Sequence, residues 1–279
     1  MKQEIKKIGG NLLPTKPDSR DFKLGQIVIL PDLSELPDEF MFEGLSIDNQ
    51  HQSDFCTAAA TTKMKQLQED EEFEMSWHFA VSKKISGNPE GYGQNMRTAF
   101  KVLVKYGAVR KQDSPYNLDN KSPQFLRYID NWPDLFPKAK PYKAESFFQI
   151  DGPYDAFDNI KAAIWLFRKQ KRAAGVGVRW GWSFNDIIID TIPERGGGHM
   201  MFVKGFNKHY LIVQNSYGEK CGDNGVHYFS REVINEMVRI YKGPFMTVDM
   251  PPEEAKKKCW SWWRKIIEAV KNYIKNLFQ

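Results

Sequence analysis

The chain has 279 residues, 41% hydrophobic and 14% aromatic, enough apolar surface for the core of one large domain or two packed lobes. Its three cysteines, Cys56, Cys221 and Cys259, are odd in number and far apart, with no CxxC pair or Cys/His ladder, which argues against a disulfide framework or a structural zinc site. Of the net charge of +5, residues 256–279 carry +6 (seven bases, one acid), so the rest sums to −1 and offers no nucleic-acid groove.

The N-terminus has no apolar leader core, and no run reaches the ~18 apolar residues of a membrane span, so a cytoplasmic address is expected. Association with a larger assembly, a virion or a membrane surface is compatible with the same sequence. Residues 1–30 are mixed and turn-rich and read as an extended arm over the surface of a domain spanning 31–250.

Polar, turn-friendly residues from Asp48 to Asp54 lead into Cys56, which opens a helix running to about Glu69. A second helix is predicted over 75–84 with Ser76 as its cap. After a glycine-rich loop at 87–93, a third helix covers 95–106, with Met96, Ala99, Phe100, Leu103 and Val104 on one face and Gly107 as its stop. Proline-rich aromatic loops follow, then a helix over 154–172. From Gly175 the pattern turns to strands, at 175–180, 199–206, 210–215 and 225–230. Helices first and strands second give an α+β layout with two lobes, and a site is expected in the cleft between them.

A thiol in the first turn of a helix feels the positive end of the macrodipole, which favours the nucleophilic thiolate. Gln50, six residues upstream of Cys56, can curl back and offer its amide to a developing oxyanion. A thiolate nucleophile needs a base, and the base needs a partner to fix its ring. His199 opens one strand and Asn215 ends the next, which supplies both. The glycine run 196–198 reads as a flexible loop beside that base, not a phosphate cradle. Cys221 reads as structural, and with His209 and His227 it lacks metal-ligand spacing, so neither a metal nor another cofactor is expected.

With these residues in place, the sequence resembles the papain-like cysteine peptidases, in particular bacterial or phage-type members without a long prodomain. Gln50 and Cys56 match the family's oxyanion glutamine and nucleophile, and His199 its general base. Asn215-Ser216-Tyr217-Gly218 resembles its Asn-Ser-Trp-Gly segment, and Gly222-Asp223-Asn224-Gly225 its Gly-Glu-Asn-Gly. The glycine loop and helix from Gly91, the Ser114-Pro115-Tyr116 turn, and the lead-in Pro17-Asp18-Ser19-Arg20-Asp21 extend the likeness over roughly residues 15–250. The resemblance implies a papain-like two-lobed fold, helical then β-barrel-like. It also implies cleavage of peptide or protein substrates through a Cys56 thioester, with Asn215 orienting His199. By the same match Gly93, Gln94, Gly198 and Met200 line the substrate cleft, and Tyr217 shields the Asn–His pair. Ser53 stands where the family has a disulfide cysteine, Phe55 and Thr57 are unusual neighbours of the nucleophile, and Met200 would narrow the apolar subsite. The arm ahead of the domain is too short for the family's long helical inhibitory segment, so control is expected to be steric or through assembly.

Beyond Pro251-Pro252, Trp260, Trp263, Ile267, Val270, Ile274 and Leu277 step by 3 and 4 with bases on the other faces. Residues 251–279 therefore read as a basic, Trp-rich amphipathic helix for a protein partner or an anionic membrane surface. Two functions stay open: an active cysteine peptidase, or a catalytically weak papain-like protein docked into an assembly through that helix.

Overall fold

A computed structural model describes residues 12–87, 93–114 and 133–258, together with 261, 267, 268, 270 and 271. The glycine-loop residues 88–92, the turn at 115–116 and most of the C-terminal tail, including Trp260, Trp263, Ile274 and Leu277, lie outside the described residues.

Helix α1 (Cys56–Glu69) runs between two cores and is buried along nearly its whole length. Cys56, Ala60, Met64 and Leu67 recur at helical spacing and face the core of the sheet. Ala58 and Ala59, with Phe55 just ahead of the helix, face a second cluster built with Trp77, Phe79, Val81 and Val102. The helix ends at Asp70, which takes the left-handed conformation at φ 59°. That second cluster is closed by α2 (Met75–Ser86) and α3 (Met96–Lys105). The side chain of Glu74, not Ser76, caps α2 by accepting from the Ser76 N–H, and Asn95 caps α3 through the Thr98 N–H.

A short helix α4 (Leu135–Ala139) follows. Helix α5 (Ala156–Leu166) is shorter than its apolar pattern predicts, because the chain tightens into a 3₁₀ turn and leaves at Lys171 with φ 53°. Helix α6 (Arg231–Tyr241), capped by Ser230, packs on the sheet through Val233, Ile234, Met237 and Tyr241.

The described strands are β1 (Phe40–Met41), β2 (Ser146–Gln149), β3 (Ala174–Trp180), β4 (Ile188–Ile189), β5 (Gly197–Phe206), β6 (Tyr210–Gln214), β7 (Val226–Ser230) and β8 (Phe245–Val248). They form one sheet in the order β2-β8-β3-β5-β6-β7-β4, with β1 paired to β5. Neighbours are antiparallel except the β4–β7 pair. The glycine run expected as a flexible loop is partly strand: Gly197 and Gly198 pair with Trp180 and Arg179. Helices on one side of Cys56 and a curled sheet on the other make the α+β two-lobed arrangement, and α1 is the seam.

Leu12, Leu24 and Leu30 of the segment ahead of β1 are buried in the sheet core. At the other end, residues 252–258 are helical with Ala255 buried, and Ile267 and Val270 are about half exposed.

Candidate active site

Phe55 caps α1 with no side-chain hydrogen bond, so the first-turn N–H groups around Cys56 depend on what the preceding turn brings. That turn is held by Gln50, whose backbone N–H donates to the Ser216 carbonyl at 2.8 Å. The Gln50 side chain donates through Nε2 to the Ser53 carbonyl at 2.6 Å and accepts from Ser216 Oγ at 2.6 Å. Gln50, Cys56 and the segment after β6 are thus tied across the seam of the two lobes.

Strands β5, β6 and β7 lie side by side, and they bring His199, Asn215 and His227 into a row. The His199 Nε2–H donates to Asn215 Oδ1 at 2.9 Å, which leaves Nδ1 as the lone-pair nitrogen. The Tyr217 ring lies flat on the imidazole, with centroids 4.8 Å apart and planes 12° from parallel, and its hydroxyl donates toward Nδ1 over 3.4 Å. Trp180 stands edge-on to His199 at 5.7 Å.

His199 is fully buried and Cys56 is 1% exposed. Burial pushes the His199 imidazole down to about 4, against the pull of the Asn215 hydrogen bond, and the charge of His227 adds to the depression. Burial and then the charge of Cys56 push the Tyr217 phenol up, which puts the thiol within electrostatic reach of the ring that stacks on His199. His199 is therefore neutral near pH 7, the form a base must have before it takes a proton.

Gly198, Gln94 and the arm form the wall next to this group. The Leu12 N–H donates to the Gly198 carbonyl at 2.8 Å, and the Leu13 N–H to the Gln94 carbonyl at 3.0 Å, so the arm bridges the two. A side chain on Gly198 would collide with the Leu12 carbonyl oxygen at 2.1 Å, so the bare backbone is what lets the arm approach. Gly93, at φ 68°, accepts from Lys83 Nζ, and the Gln94 amide donates to the Ser82 carbonyl. The Met200 side chain is fully buried, with its ε-methyl against Gly175 and Met64.

Three participants give little signal in the sequence. Leu12 and Trp180 sit in stretches with no chemical motif, and the spacing of His227 speaks only against a metal ligand.

Residues 45–247 match the family described as papain family cysteine protease. No curated protein matches the chain. Among solved structures the fold is similar to xylellain, a cysteine protease from Xylella fastidiosa, at a TM-score of 0.64 and 18% identity over 88% of this chain and 97% of that one. It is also similar to procathepsin B S9 of Trypanosoma congolense (TM-score 0.57, 14% identity, 87% and 86% covered) and to the bromelain protease of Ananas comosus in complex with the E64 inhibitor (0.53, 15%, 76% and 100%). With most of its length matched and the α+β two-lobed fold in place, the chain belongs to the papain family of cysteine proteases and is a cysteine peptidase by that membership.

Proposed function

We propose that Cys56, His199, Asn215 and Gln50 carry out peptide-bond hydrolysis. The observation that supports this best is the His199 Nε2–H to Asn215 Oδ1 bond, which leaves Nδ1 as the basic nitrogen. His199 takes the Cys56 proton as the sulfur attacks the substrate carbonyl. The resulting oxyanion is held by the Gln50 amide and the Cys56 backbone N–H. His199 then protonates the leaving amine, and water, activated by the same imidazole, releases the thioester. The substrate is a peptide or protein segment laid along Gly93, Gln94 and Gly198, with Met200 shaping the apolar subsite and Tyr217 shielding the Asn215–His199 pair. That path is the one Leu12 and Leu13 now line, so substrate entry requires the arm to move.

The test is intact-mass measurement after exposure to an epoxysuccinyl thiol-protease probe near neutral pH. A single adduct is expected on the wild type and on Cys221→Ala, and none on Cys56→Ala or His199→Ala. An adduct unchanged by His199→Ala would overturn the reading.

A second reading is favoured by the burial of both Cys56 and His199: a papain-like protein of weak or lost catalysis, docked through 251–279 onto a protein partner or an anionic membrane. A wild-type chain that stays unlabelled after prolonged exposure would select it.

A further inference from the structure

We propose that His227 is a positioning residue that locks the Asn215 amide and, through it, the tautomer of His199. This inference rests on the reading of His199 as the base and Asn215 as its partner.

The hydrogen-bond directions follow from groups that have no choice. The His227 Nδ1 lies 2.7 Å from the Asp186 backbone carbonyl, which can only accept, so Nδ1 carries the proton and Nε2 is left as an acceptor. Asn215 Nδ2 lies 3.1 Å from that Nε2 and therefore donates to it, with Cys221 Sγ a weaker acceptor at 3.5 Å. At the other end of the amide, the Ser216 backbone N–H can only donate, and it meets Oδ1 at 2.8 Å. Both ends of Asn215 are thereby assigned, and the His199 nitrogen facing Oδ1 must hold a proton. The chain of donors runs from His199 through Asn215 and His227 to a fixed backbone carbonyl.

The pocket around His227 is built for this ring. The side chain is fully buried, and Trp180 packs against it edge-on at 5.1 Å. Gly222, at φ 62°, lies so close that a side chain there would fall within 2.8 Å of the imidazole. Cys221 and His227 also touch at 3.4 Å, yet they do not make a second nucleophile and base. The thiol is buried and pushed up to about 12, and the one nitrogen that could take its proton is engaged by Asn215.

The experiment is ¹⁵N-histidine NMR at pH 7 on the full chain carrying Cys56→Ala, which removes the thiol and keeps His199 neutral. His199 is expected as the Nε2–H tautomer and His227 as the Nδ1–H tautomer. Adding His227→Phe should leave His199 divided between both tautomers, and His227→Gln, which restores an acceptor, should recover the single form. In the chain with Cys56 intact, His227→Phe should lower kcat about tenfold with KM within about twofold, and His227→Gln should regain most of the loss. A Nε2–H proton on His227 in the starting protein overturns the proposal even where the Phe variant does not fold. So does a His199 tautomer unmoved by His227→Phe. An intact chain without turnover would overturn the peptidase reading alone, and the tautomers would still decide the role of His227.

Discussion

His199 Nδ1 is the atom on which the proposed chemistry turns, and it sits beneath a phenol, behind a tryptophan edge and beside an arm held by one glycine. Gly198 is the residue where that closure can be tested. Its carbonyl accepts from Leu12, and a methyl group at its α-carbon would lie 2.1 Å from the Leu12 carbonyl oxygen, a backbone atom that cannot swing aside. Gly198→Ala should therefore displace Leu12, whose side chain is 4% exposed and whose burial contributes about 2 kcal/mol. The expected outcome is a several-fold faster alkylation of Cys56 by iodoacetamide, a reagent too small to be sensitive to the shape of the cleft. Unchanged or slower alkylation would show that Leu12 does not limit access to the thiol.

The same comparison holds for whole elements, where a glycine in a strand marks the approach of another chain segment. Gly205 lies opposite Met41 in the β1–β5 pair, beside the irregularity in register between Val203 and Gly205. A side chain there would meet the Phe40 carbonyl oxygen at 2.2 Å and the Met41 α-carbon at 2.7 Å. Gly205→Val should expel β1 and cost roughly 1–3 kcal/mol, read as a lower urea midpoint and new protease cleavage around residues 38–44. Retained protection would mean that β1 adds nothing to the sheet. These glycines also explain which parts of the fold were legible. Helices α1 and α3 announced themselves through a polar lead-in, a periodic apolar face and a stop signal. Strands β3, β5, β6 and β7 showed as β-branched and aromatic runs. Gly197 and Gly198 read as loop because propensity sees a missing side chain and cannot see Leu12 pressed against the backbone. Strands β2 and β8 are four residues each and pair with one another across nearly 100 positions, with β8 joined on its other side to β3, so neither is marked by its local sequence. Helix α6 carries the ordinary signal as well, with Ser230 as cap and Val233, Ile234, Met237 and Tyr241 on one face. At the site, Cys56, His199 and Asn215 could be picked out by residue type and order. His227 could not, since its meaning comes from the Asn215 amide across the β6–β7 hairpin.

Across the whole molecule, buried imidazoles are found in both lobes, and this couples stability to pH. His78 is enclosed in the helical lobe and His199 in the sheet lobe, each pushed down to about 4 by burial, and burial also lowers His227. In the unfolded chain all three titrate near 6.5, so below that pH the unfolded state binds protons that the folded state refuses. The sign is therefore fixed: stability is fully present above about 6.5 and is lost as pH falls from there toward 4. By pH 5 the loss from His78 and His199 is about 2 kcal/mol each, a large part of the usual stability of a domain. Glu74 works in the opposite sense, since burial raises its carboxyl and favours the folded state on acidification, but it is one group against three. The exposed Asp18–Arg20 pair holds the Asp18 carboxylate far below this window and contributes nothing to its slope. Urea midpoints measured between pH 7.5 and 5 should fall steadily with m unchanged. His78→Gln keeps a donor for the Ala99 carbonyl that His78 Nε2 contacts at 3.0 Å and removes one titrating group. Its curve should start lower and fall less steeply, by about one histidine's share. A midpoint flat from pH 7.5 to 5 in the wild type would mean that the imidazoles gain protons without opening either lobe, and that the burial around His199 yields to solvent more readily than its packing against Tyr217 and Trp180 implies.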